Sequence, residues 1–590
     1  MSILENKKEI IWIPEDFNGE TIEVAYRKGV PGKTKEEMEA MIARGERPHL
    51  FNFCGKLNPR TYSPEEGIIC HQDVATKLRD GTTIYSDIYM PDEPGKKFPL
   101  IISWSPFSKR PAEGMKEWKL MGVPPGTVSE MAKFESTDPG YWCHLGYAIA
   151  NVDPRGVGNS EGNVVQYGPQ DGRDGYDYIE WAAQQEWCSG KVALFGNSGV
   201  AMSAARIAAE QPPHLACVGL WEMTGDMYRE SLAVGGIMSP AFNEDILAGI
   251  ACKNYIEDLP TMAETHPMMD AYWESKIVKW QNIRVPSYVC SGWCHIHLRG
   301  SMEAFRRIRS PKKWLRAHRE FEWPDTYHRD NVEDLTKFYD RYLKNIRNGW
   351  EFTPRVRIDV MDAYDYDYAP GRKEDSFPIE RTQYKKLYLN SADMGVGYEP
   401  YADKAEVSYD PMKESIIFDY KFTEDTEITG YMKLRLWVEC RGYDDMDMFV
   451  WVKKNGQNGE HIPVYAMHEP YRGVWGYMRV SHREIDPKWA TDYQPVQSHR
   501  NLQKLSPGEI VPVEVEMYPH SRIWHKGETL RIEITGRFVE SDWFEDPKVN
   551  ISSDNGDGIH VIHTGGEYDS YLQIPVVPPK YTSGDYVYRG

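Results

Sequence analysis

Short apolar runs alternate with amphipathic stretches through much of the chain between residues 65 and 352. The apolar runs include PLIISWSP, YAIANVDPRG and KVALFGNSG, and the stretches of helical period between them include GYDYIEWAAQQ and VAMSAARIAAEQ. Apolar runs of this length without a polar face are typical of strands that are buried on both sides. The alternation therefore predicts an α/β domain with a parallel sheet covered by helices, over residues 65–223 and 283–352.

A hairpin is predicted near the start of this domain. The segment VATKLRDGTTIYSDIYMP has strand-forming residues on both sides of Asp80 and Gly81. An Asp-Gly pair tolerates the positive φ that a tight turn requires. We therefore expect the sheet to begin here.

Two segments do not follow the alternation. Residues 1–64 are polar and mixed, with one helical piece from Lys35 to Arg44, and we interpret them as an N-terminal arm that forms an interface or a lid. Residues 224–282 are rich in Met, Tyr and acidic side chains and separate two of the predicted strands. An insertion at this place usually covers a pocket, so we predict a helical cap.

The pattern changes to period two after residue 352. The runs KLRLWVECR, MFVWVKKNG, VPVEVEMYP and TLRIEITGR alternate apolar and polar positions and are divided by Gly, Pro and Asn. This pattern predicts an all-β domain over residues 353–590, folded as an antiparallel sandwich or jelly roll.

Length and charge narrow the class of protein. A chain of 590 residues exceeds the size at which a single core stops growing, about 250 to 300 residues, so more than one domain is expected. The net charge of −20 would repel nucleic acid and anionic lipid, and we expect neither as a partner. The sequence has no apolar stretch near the ~20 residues that span a bilayer and no signal-peptide pattern at its start, so we expect a soluble, cytoplasmic protein.

The nine cysteines are scattered and include no C-x-x-C pair. This spacing argues against a disulfide framework and against a thiolate zinc site.

The strongest chemical signal is KVALFGNSGVAMSAARIAAEQ, an apolar strand followed by a Gly-Asn-Ser-Gly turn and a helix. In a nucleophile elbow, a serine at such a turn exposes its hydroxyl, and the next backbone N–H faces the developing oxyanion. Ser198 fits the first role and Gly199 the second. Val200 departs from the common G-x-S-x-G form, which has glycine at that position.

The order of several motifs resembles that of the cocaine-esterase-like and X-prolyl-dipeptidyl-peptidase-like acyl hydrolases of the CocE/NonD type. These motifs are DPRGVGNSEG, the elbow, PPHLACVGLWE, DMYRESLAVGG, KKWLRAH and VSHREIDPKWA, and the resemblance covers about residues 65–590. It implies an α/β-hydrolase domain with a helical cap, followed by a jelly-roll domain. It also implies hydrolysis of esters or amides and requires no cofactor or metal.

The resemblance assigns Ser198 as the nucleophile and places His318, in KKWLRAH, at the position of the general base, with His328 as a reserve. The family usually has an Asp two residues after a Trp in the position of Trp293, but here that position is His295. The loop contains no carboxylate. The acid is therefore unassigned.

Several residues are candidates for the missing acid or for a substitute in its place. They are His295, His297, Glu222, Glu322 and Asp325. The family's oxyanion-binding tyrosine is also replaced, by Phe107. Loss of one oxyanion donor costs about 3 to 4 kcal/mol of transition-state stabilisation, and His295 or His297 could supply a replacement.

These observations leave three functions open. The first is a serine-dependent acyl hydrolase for a small apolar or aromatic ester, lactone or amide, with a pocket lined by Trp104, Phe107, Trp221 and Trp293 at predicted strand ends. The second is a non-hydrolytic or acyl-transfer enzyme that uses His295 and His297 as acid and base. The third is a weakly active binding protein.

Two further expectations concern metal and assembly. Cys294, His295 and His297 are residue types that can bind a soft metal ion. The sequence shows no further ligand that would complete a site around the two histidines, and we expect no metal. The N-terminal arm leads us to expect a homodimer.

Overall fold

The computed structural model describes residues 9–46, 49, 52–110, 122–466, 469–471, 473–538, 555 and 557–580. Parts of the predicted N-terminal arm and C-terminal domain lie outside these residues. The chain forms two compact units. The first contains Met1–Leu232, Pro240–Leu315 and Glu320–Thr353, and the second contains Ala233–Ser239, Arg316–Arg319 and Pro354–Gly590.

The strands up to the end of the first unit are β1 Ile10–Phe17, β2 Glu20–Lys28, β3 Arg60–Glu65, β4 Ile68–Lys77, β5 Thr83–Pro91, β6 Phe98–Trp104, β7 Ala148–Asp153, β8 Cys188–Asn197, β9 Leu215–Trp221, β10 Tyr255–Glu257, β11 Ser287–Gly292 and β12 Lys313–His318. The helices are α1 Lys35–Ala43, α2 Pro139–His144, α3 Pro169–Ala183, α4 Ser198–Ala209, α5 Ala241–Gly249, α6 Leu259–Thr265, α7 Ala271–Ser275, α8 Leu298–Arg307, α9 Glu322–Tyr327 and α10 Arg329–Leu343. Single-turn helices occur at Tyr228–Leu232, Val234–Gly236, Trp280–Asn282 and Trp350–Phe352.

The main sheet of the first unit has the order β3-β4-β5-β7-β6-β8-β9-β11. The β3, β4, β5 and β7 neighbours pair antiparallel, and the pairs from β7 through β11 are parallel. The predicted hairpin is confirmed as β4 and β5, and Gly81 in its turn has φ +92°. The parallel strands are almost wholly buried, as continuous apolar runs require. Their carboxyl ends lie at one edge, where ligands bind in sheets of this kind.

The N-terminal arm and the inserted segment form one small sheet. Strand β2 pairs antiparallel with β1 on one side and with β10 of the insertion on the other. Arg27 of β2 donates to both oxygens of Asp258 and to the carboxylate of Glu244, at 2.5–3.1 Å. The predicted helix in the arm is confirmed as α1, and the insertion contains α5, α6 and α7. The arm is therefore part of the structure around the insertion.

The second unit is built of β-strands. They are β13 Val356–Ala363, β14 Tyr366–Glu374, β15 Gln383–Asn390, β16 Gly395–Gly397, β17 Ala405–Tyr409, β18 Ser415–Lys421, β19 Thr426–Arg441, β20 Asp447–Asn455, β21 Val464–Ala466, β22 Glu469–Tyr471, β23 Val474–Arg479, β24 Val511–Trp524, β25 Thr529–Thr535, β26 Ile559–Thr564 and β27 Tyr571–Val576. Strand β19 pairs antiparallel with β24, β26 and β27, while β18, β25, β20 and β23 form a second antiparallel set. Apolar side chains of both sets share one buried core, which is typical of a sandwich. The jelly-roll connectivity stays a prediction.

Within the described residues, no helix combines the length and apolar character needed to cross a membrane.

The ion pairs of Arg27 generate a test of the contact between arm and insertion. The Arg27 side chain is only 12% exposed, so Arg27→Met would leave Asp258 and Glu244 without their cation and destabilise the fold by about 3–5 kcal/mol. We expect a lower thermal unfolding temperature in differential scanning fluorimetry. The matched control is Arg44→Met, because the Arg44–Glu46 pair is exposed and contributes little. Equal unfolding temperatures for the two variants would contradict a structural role for Arg27.

Candidate active site

Ser198 lies at a sharp turn between β8 and α4. Its φ is +49°, an unusual value for a residue with a side chain, and it is the first residue of the helix. The turn requires glycine two residues earlier, because a β-carbon on Gly196 would lie 2.4 Å from the carbonyl carbon of Val200. The strand, the turn and the helix therefore have the geometry of a nucleophile elbow.

The Ser198 hydroxyl contacts a histidine that the resemblance did not place there. Ser198 Oγ lies 3.1 Å from Nε2 of His297, and Nδ1 of the same ring lies 2.9 Å from Oγ1 of Thr224. If Nδ1 carries the proton and donates it to Thr224, Nε2 is free to accept the hydroxyl proton of Ser198. His297 is thus within hydrogen-bond distance of both the Ser198 and the Thr224 hydroxyl.

The loop after β9 and the start of α8 hold this histidine in place. Gly300 in the first turn of α8 sits against the loop, since a β-carbon there would lie 2.2 Å from the carbonyl oxygen of Met223. The backbone N–H of Met223 also donates to Oγ of Ser301 at 3.0 Å. His297, immediately before α8, is thereby brought beside Thr224, immediately after Met223.

His295 lies between two buried glutamates. Its Nδ1 is 3.7 Å from Oε2 of Glu222, and its Nε2 is 3.5 Å from Oε1 of Glu322. The rings of His295 and His297 have centroids 4.9 Å apart, and the backbone N–H of His297 points at Nδ1 of His295 at 3.3 Å. Glu222 follows the end of β9 at φ +41° and is fully buried.

A third buried glutamate, Glu135, lies in a loop that contacts the elbow. Its backbone oxygen accepts from the N–H of Asn197 at 3.2 Å, and its carboxyl accepts from Nε1 of Trp323 at 3.4 Å. Burial raises the pKa of Glu135 well above its usual range, and the charge of Glu322 adds to this effect, whereas the Ser198 hydroxyl opposes it. Negative charge is therefore costly at this place.

Burial also changes the pKa of the two neighbouring groups. It raises the pKa of Glu322, an effect that His295 opposes and Glu222 strengthens. Burial lowers the pKa of His297 well below the usual histidine value, and the charge of His295 lowers it further. A neutral imidazole accepts a proton from a hydroxyl, so this shift keeps His297 in the form that a base needs.

The oxyanion side of the elbow is formed by Gly199 and two aromatic rings. A β-carbon on Gly199 would lie 2.8 Å from Oη of Tyr167 and 3.0 Å from the ring of Phe107. In α/β-hydrolases a loop after a central strand usually supplies a second backbone N–H to the oxyanion. In the loop after β6, Pro106 has no N–H, and the N–H of Phe107 donates to Oγ of Ser105 at 3.1 Å. Tyr167 thus brings a hydroxyl close to the Gly199 backbone.

Three other predicted site residues, His318, Asp325 and His328, do not take part in the hydrogen bond between Ser198 and His297. His318 is buried at the end of β12, in the Arg316–Arg319 segment that groups with the second unit. The Ser198 hydroxyl forms its hydrogen bond with His297, and the assignment of His318 as the base stays a prediction that this contact does not support. Asp325 interacts with Cys290 Sγ at 3.7 Å and with Nδ2 of Asn331 at 3.0 Å. The reserve, His328, is exposed.

The four aromatic residues predicted to line the pocket have different surroundings. Phe107 contacts the elbow, but Trp104 is buried with its Nε1 donating to Asp171 at 2.6 Å. Trp221 is 1% exposed and packs within the apolar core, 4.8 Å from the ring of Tyr288. Trp293 is fully buried. A side chain at a strand end can point into the core as well as toward the ligand edge, which the sequence does not distinguish.

Three residues at the site were missed by the sequence reasoning: Thr224, Glu135 and Tyr167. Thr224 had a usable signal, because it follows the end of β9 by three positions and parallel strands end at one edge. Glu135 and Tyr167 lie in loops, where hydrophobic patterning carries no information about direction. Both have positive φ, 58° and 49°, which sequence does not reveal in residues other than glycine.

Three side chains at the site could together hold a cation. One ligand atom each from His295, His297 and Glu322 lie within 4.8 Å of one another, and all three residues are buried.

The Thr224 contact predicts a measurable effect. Thr224→Val keeps the shape of the side chain but removes the oxygen that holds the proton on Nδ1 of His297, so we expect labelling of Ser198 by a fluorophosphonate to slow about 10-fold to 100-fold. The rate is measured by intact-protein mass spectrometry. Thr265→Val is the control, because the Thr265 hydroxyl donates to the backbone oxygen of Thr261 in α6. Unchanged labelling of Thr224→Val would argue against this role.

Comparisons with known proteins agree with the architecture. The family model described as X-Pro dipeptidyl-peptidase (S15 family) matches residues 80–261, and the X-Pro dipeptidyl-peptidase C-terminal non-catalytic domain matches residues 348–573. The cocaine esterase of Rhodococcus sp. (strain MB1 Bresler) is 21% identical, over 86% of this chain and 98% of that protein. An aminopeptidase from the marine sediment archaeon Thaumarchaeota archaeon, 15% identical with a TM-score of 0.64 over 89% of this chain and 99% of its own, shares the fold.

A structure from Staphylococcus aureus described as a CocE/NonD family hydrolase is more similar. It is 33% identical with a TM-score of 0.81, and the similarity covers 87% of this chain and 94% of that one. The predicted fold class is confirmed: an α/β-hydrolase domain is followed by a β-rich domain. The chain therefore belongs to the CocE/NonD family of hydrolases.

Proposed function

We propose that the protein is a serine-dependent acyl hydrolase in which Ser198 is the nucleophile and His297 is the general base. The observation that carries the proposal is the 3.1 Å contact between Ser198 Oγ and His297 Nε2 at a nucleophile elbow. Nucleophile and base must lie within this distance for the proton to move as the new bond forms.

The reaction follows from these positions. His297 Nε2 takes the hydroxyl proton while Ser198 Oγ attacks the acyl carbonyl, and the tetrahedral oxyanion faces the Gly199 N–H. The imidazolium then gives its proton to the leaving oxygen or nitrogen, and an acyl-serine remains. Water repeats the sequence, losing a proton to Nε2, and releases the acid with the serine restored.

The role of the missing acid is divided among several groups. Thr224 fixes the tautomer of His297 through Nδ1 at 2.9 Å, but a neutral hydroxyl cannot offset the charge of an imidazolium. The buried carboxyls of Glu222 and Glu322, on either side of His295, can supply that negative charge. His295 is then a positioning residue between the base and two carboxylates.

We infer that Tyr167 supplies the second oxyanion donor in place of the tyrosine that is replaced by Phe107. Its hydroxyl lies near the Gly199 backbone, and Arg206 fixes its position by bonding the Tyr167 backbone oxygen and stacking 5.4 Å from the ring centre. Burial raises the pKa of the Tyr167 phenol, and the charge of Glu135 adds to the shift, so the hydroxyl keeps the proton that it must donate.

The substrate class we favour is a small apolar or aromatic ester, lactone or amide. Phe107, Phe134 and Val200 form an apolar cluster at the elbow, with the partly buried Trp323 and Ile246 packed against it. An apolar wall beside the nucleophile favours a substrate that buries apolar surface. The relative named as a cocaine esterase is consistent with ester hydrolysis.

The first test is labelling by a small fluorophosphonate, followed by intact-protein mass. We expect rapid single labelling of the wild type, none of Ser198→Ala, and at least about 100-fold slower labelling of His297→Gln, because the base is lost. His318→Gln is the discriminating variant. If His318→Gln fails to label and His297→Gln labels normally, the base is His318, as the resemblance implied.

A folded wild type that stays unlabelled would contradict the serine mechanism altogether. The alternative, in which His295 and His297 act as acid and base without an acyl-enzyme, would then be the better account.

The oxyanion assignment predicts that Tyr167→Phe slows acylation about 10²-fold to 10³-fold with little change in substrate KM, since the hydroxyl acts on the transition state. Tyr178→Phe is the control, because Tyr178 is buried against Trp104, with ring centres 5.9 Å apart. Adding Phe107→Tyr to Tyr167→Phe should restore part of the rate, since the ring of Phe107 also touches Gly199. Normal kcat in Tyr167→Phe would refute the assignment.

A further inference from the structure

We propose that His295, His297 and Glu322 bind one divalent transition-metal ion of the zinc type, and that an ion bound there inhibits Ser198. The inhibitory part rests on the proposed function, whereas the binding part does not. No metal was expected from the sequence, because the histidine pair had no third ligand nearby. The third ligand is Glu322, the first residue of α9, which lies 25 residues after His297 in the chain.

The distances within the cluster suit a shared ion better than a direct hydrogen bond. Zinc holds imidazole nitrogen and carboxylate oxygen at about 2.0–2.2 Å, so two ligand atoms of a tetrahedral site lie about 3.4 Å apart. His295 Nε2 and Glu322 Oε1 are 3.5 Å apart. A hydrogen bond between an imidazolium and a carboxylate would be shorter, at about 2.7–2.9 Å.

The charges around the cluster also favour a cation. Glu322 and Glu135 are 4% and 2% exposed, and Oε2 of each accepts no hydrogen bond within the part of the chain that the structure describes. Nor does either form an ion pair with a Lys or Arg among these residues. A buried carboxylate is costly unless it is paired, protonated or bound to a metal. Two imidazoles and a carboxylate are the ligand set of many zinc sites.

Metal binding and base catalysis exclude each other at His297, because both of its nitrogens are already in use. An ion on Nε2 would replace the contact with Ser198 Oγ. An ion on Nδ1 would replace Thr224 and leave the proton on Nε2, which then cannot accept a proton from the serine. Either arrangement removes the base, so the bound ion inhibits.

Binding is tested on chelator-treated, dialysed full-length Ser198→Ala protein, so that the result does not depend on activity. We expect one Zn²⁺ per chain by isothermal titration calorimetry and visible absorption of four-coordinate Co²⁺ on titration with cobalt. His295→Gln and Glu322→Gln, each combined with Ser198→Ala, should weaken binding at least about 100-fold. Circular dichroism checks that both variants fold.

The matched control is His563→Gln in the same background. Glu406, Glu439 and His563 are another group with ligand atoms within 4.8 Å, but Arg441 already pairs with both glutamates. We expect this variant to bind zinc as Ser198→Ala does. Anomalous diffraction at the zinc edge from crystals of Ser198→Ala protein should place the ion between His295, His297 and Glu322. This measurement is independent of how the variants fold.

The inhibitory part is tested on the wild type. We expect Zn²⁺ to slow fluorophosphonate labelling with the same concentration dependence as binding, and EDTA to restore the rate. Absence of stoichiometric binding, or an anomalous peak elsewhere, overturns the metal site. Zinc that binds in the cluster but leaves labelling unchanged, or accelerates it, overturns the inhibition. Binding by Ser198→Ala together with a wild type that never labels leaves the metal site standing and rejects the serine mechanism.

Discussion

The site depends on how closely the chain can fold back on itself between β8 and α4. Gly196 must lie against the backbone of Val200, and no larger residue fits there without moving one of the two elements. That close approach gives Ser198 its left-handed backbone and exposes its hydroxyl at the end of a buried strand. The position of Ser198 relative to the sheet is fixed by this turn, and the other residues of the candidate site reach it from neighbouring loops.

A second constraint is the burial of several carboxyl groups in one place. Glu222 and Glu322 lie on either side of His295, and Glu135 contacts the elbow through Asn197. All three are buried, and burial makes negative charge expensive at Glu135 and Glu322. A proton shared with the histidines and a bound divalent cation are two ways to reduce that cost. Under the two proposals made above, the same groups assist a base in one state and bind a metal in the other.

The positions where the family resemblance leads us to expect an Asp and a Tyr hold His295 and Phe107, and other side chains contact the elbow. His297, two residues beyond His295, contacts the Ser198 hydroxyl, and Tyr167 approaches the Gly199 backbone from the loop before α3. The sequence marked His297 as a candidate substitute but gave no reason to prefer it to His318. Sequence could not decide between them, because the direction in which each imidazole points depends on the folding of its loop or strand end.

The sequence by itself determined the parallel sheet, the hairpin at Gly81, the β-rich second unit and the elbow at Ser198, because each follows from local periodicity or from a turn that few residues can form. The tertiary structure alone decided that Thr224 and Glu322 meet the histidine pair. Their positions depend on how α8 and α9 pack beyond the ends of β9 and β11. Such contacts join residues that are distant in the chain, and neither composition nor spacing specifies the direction in which a loop side chain points.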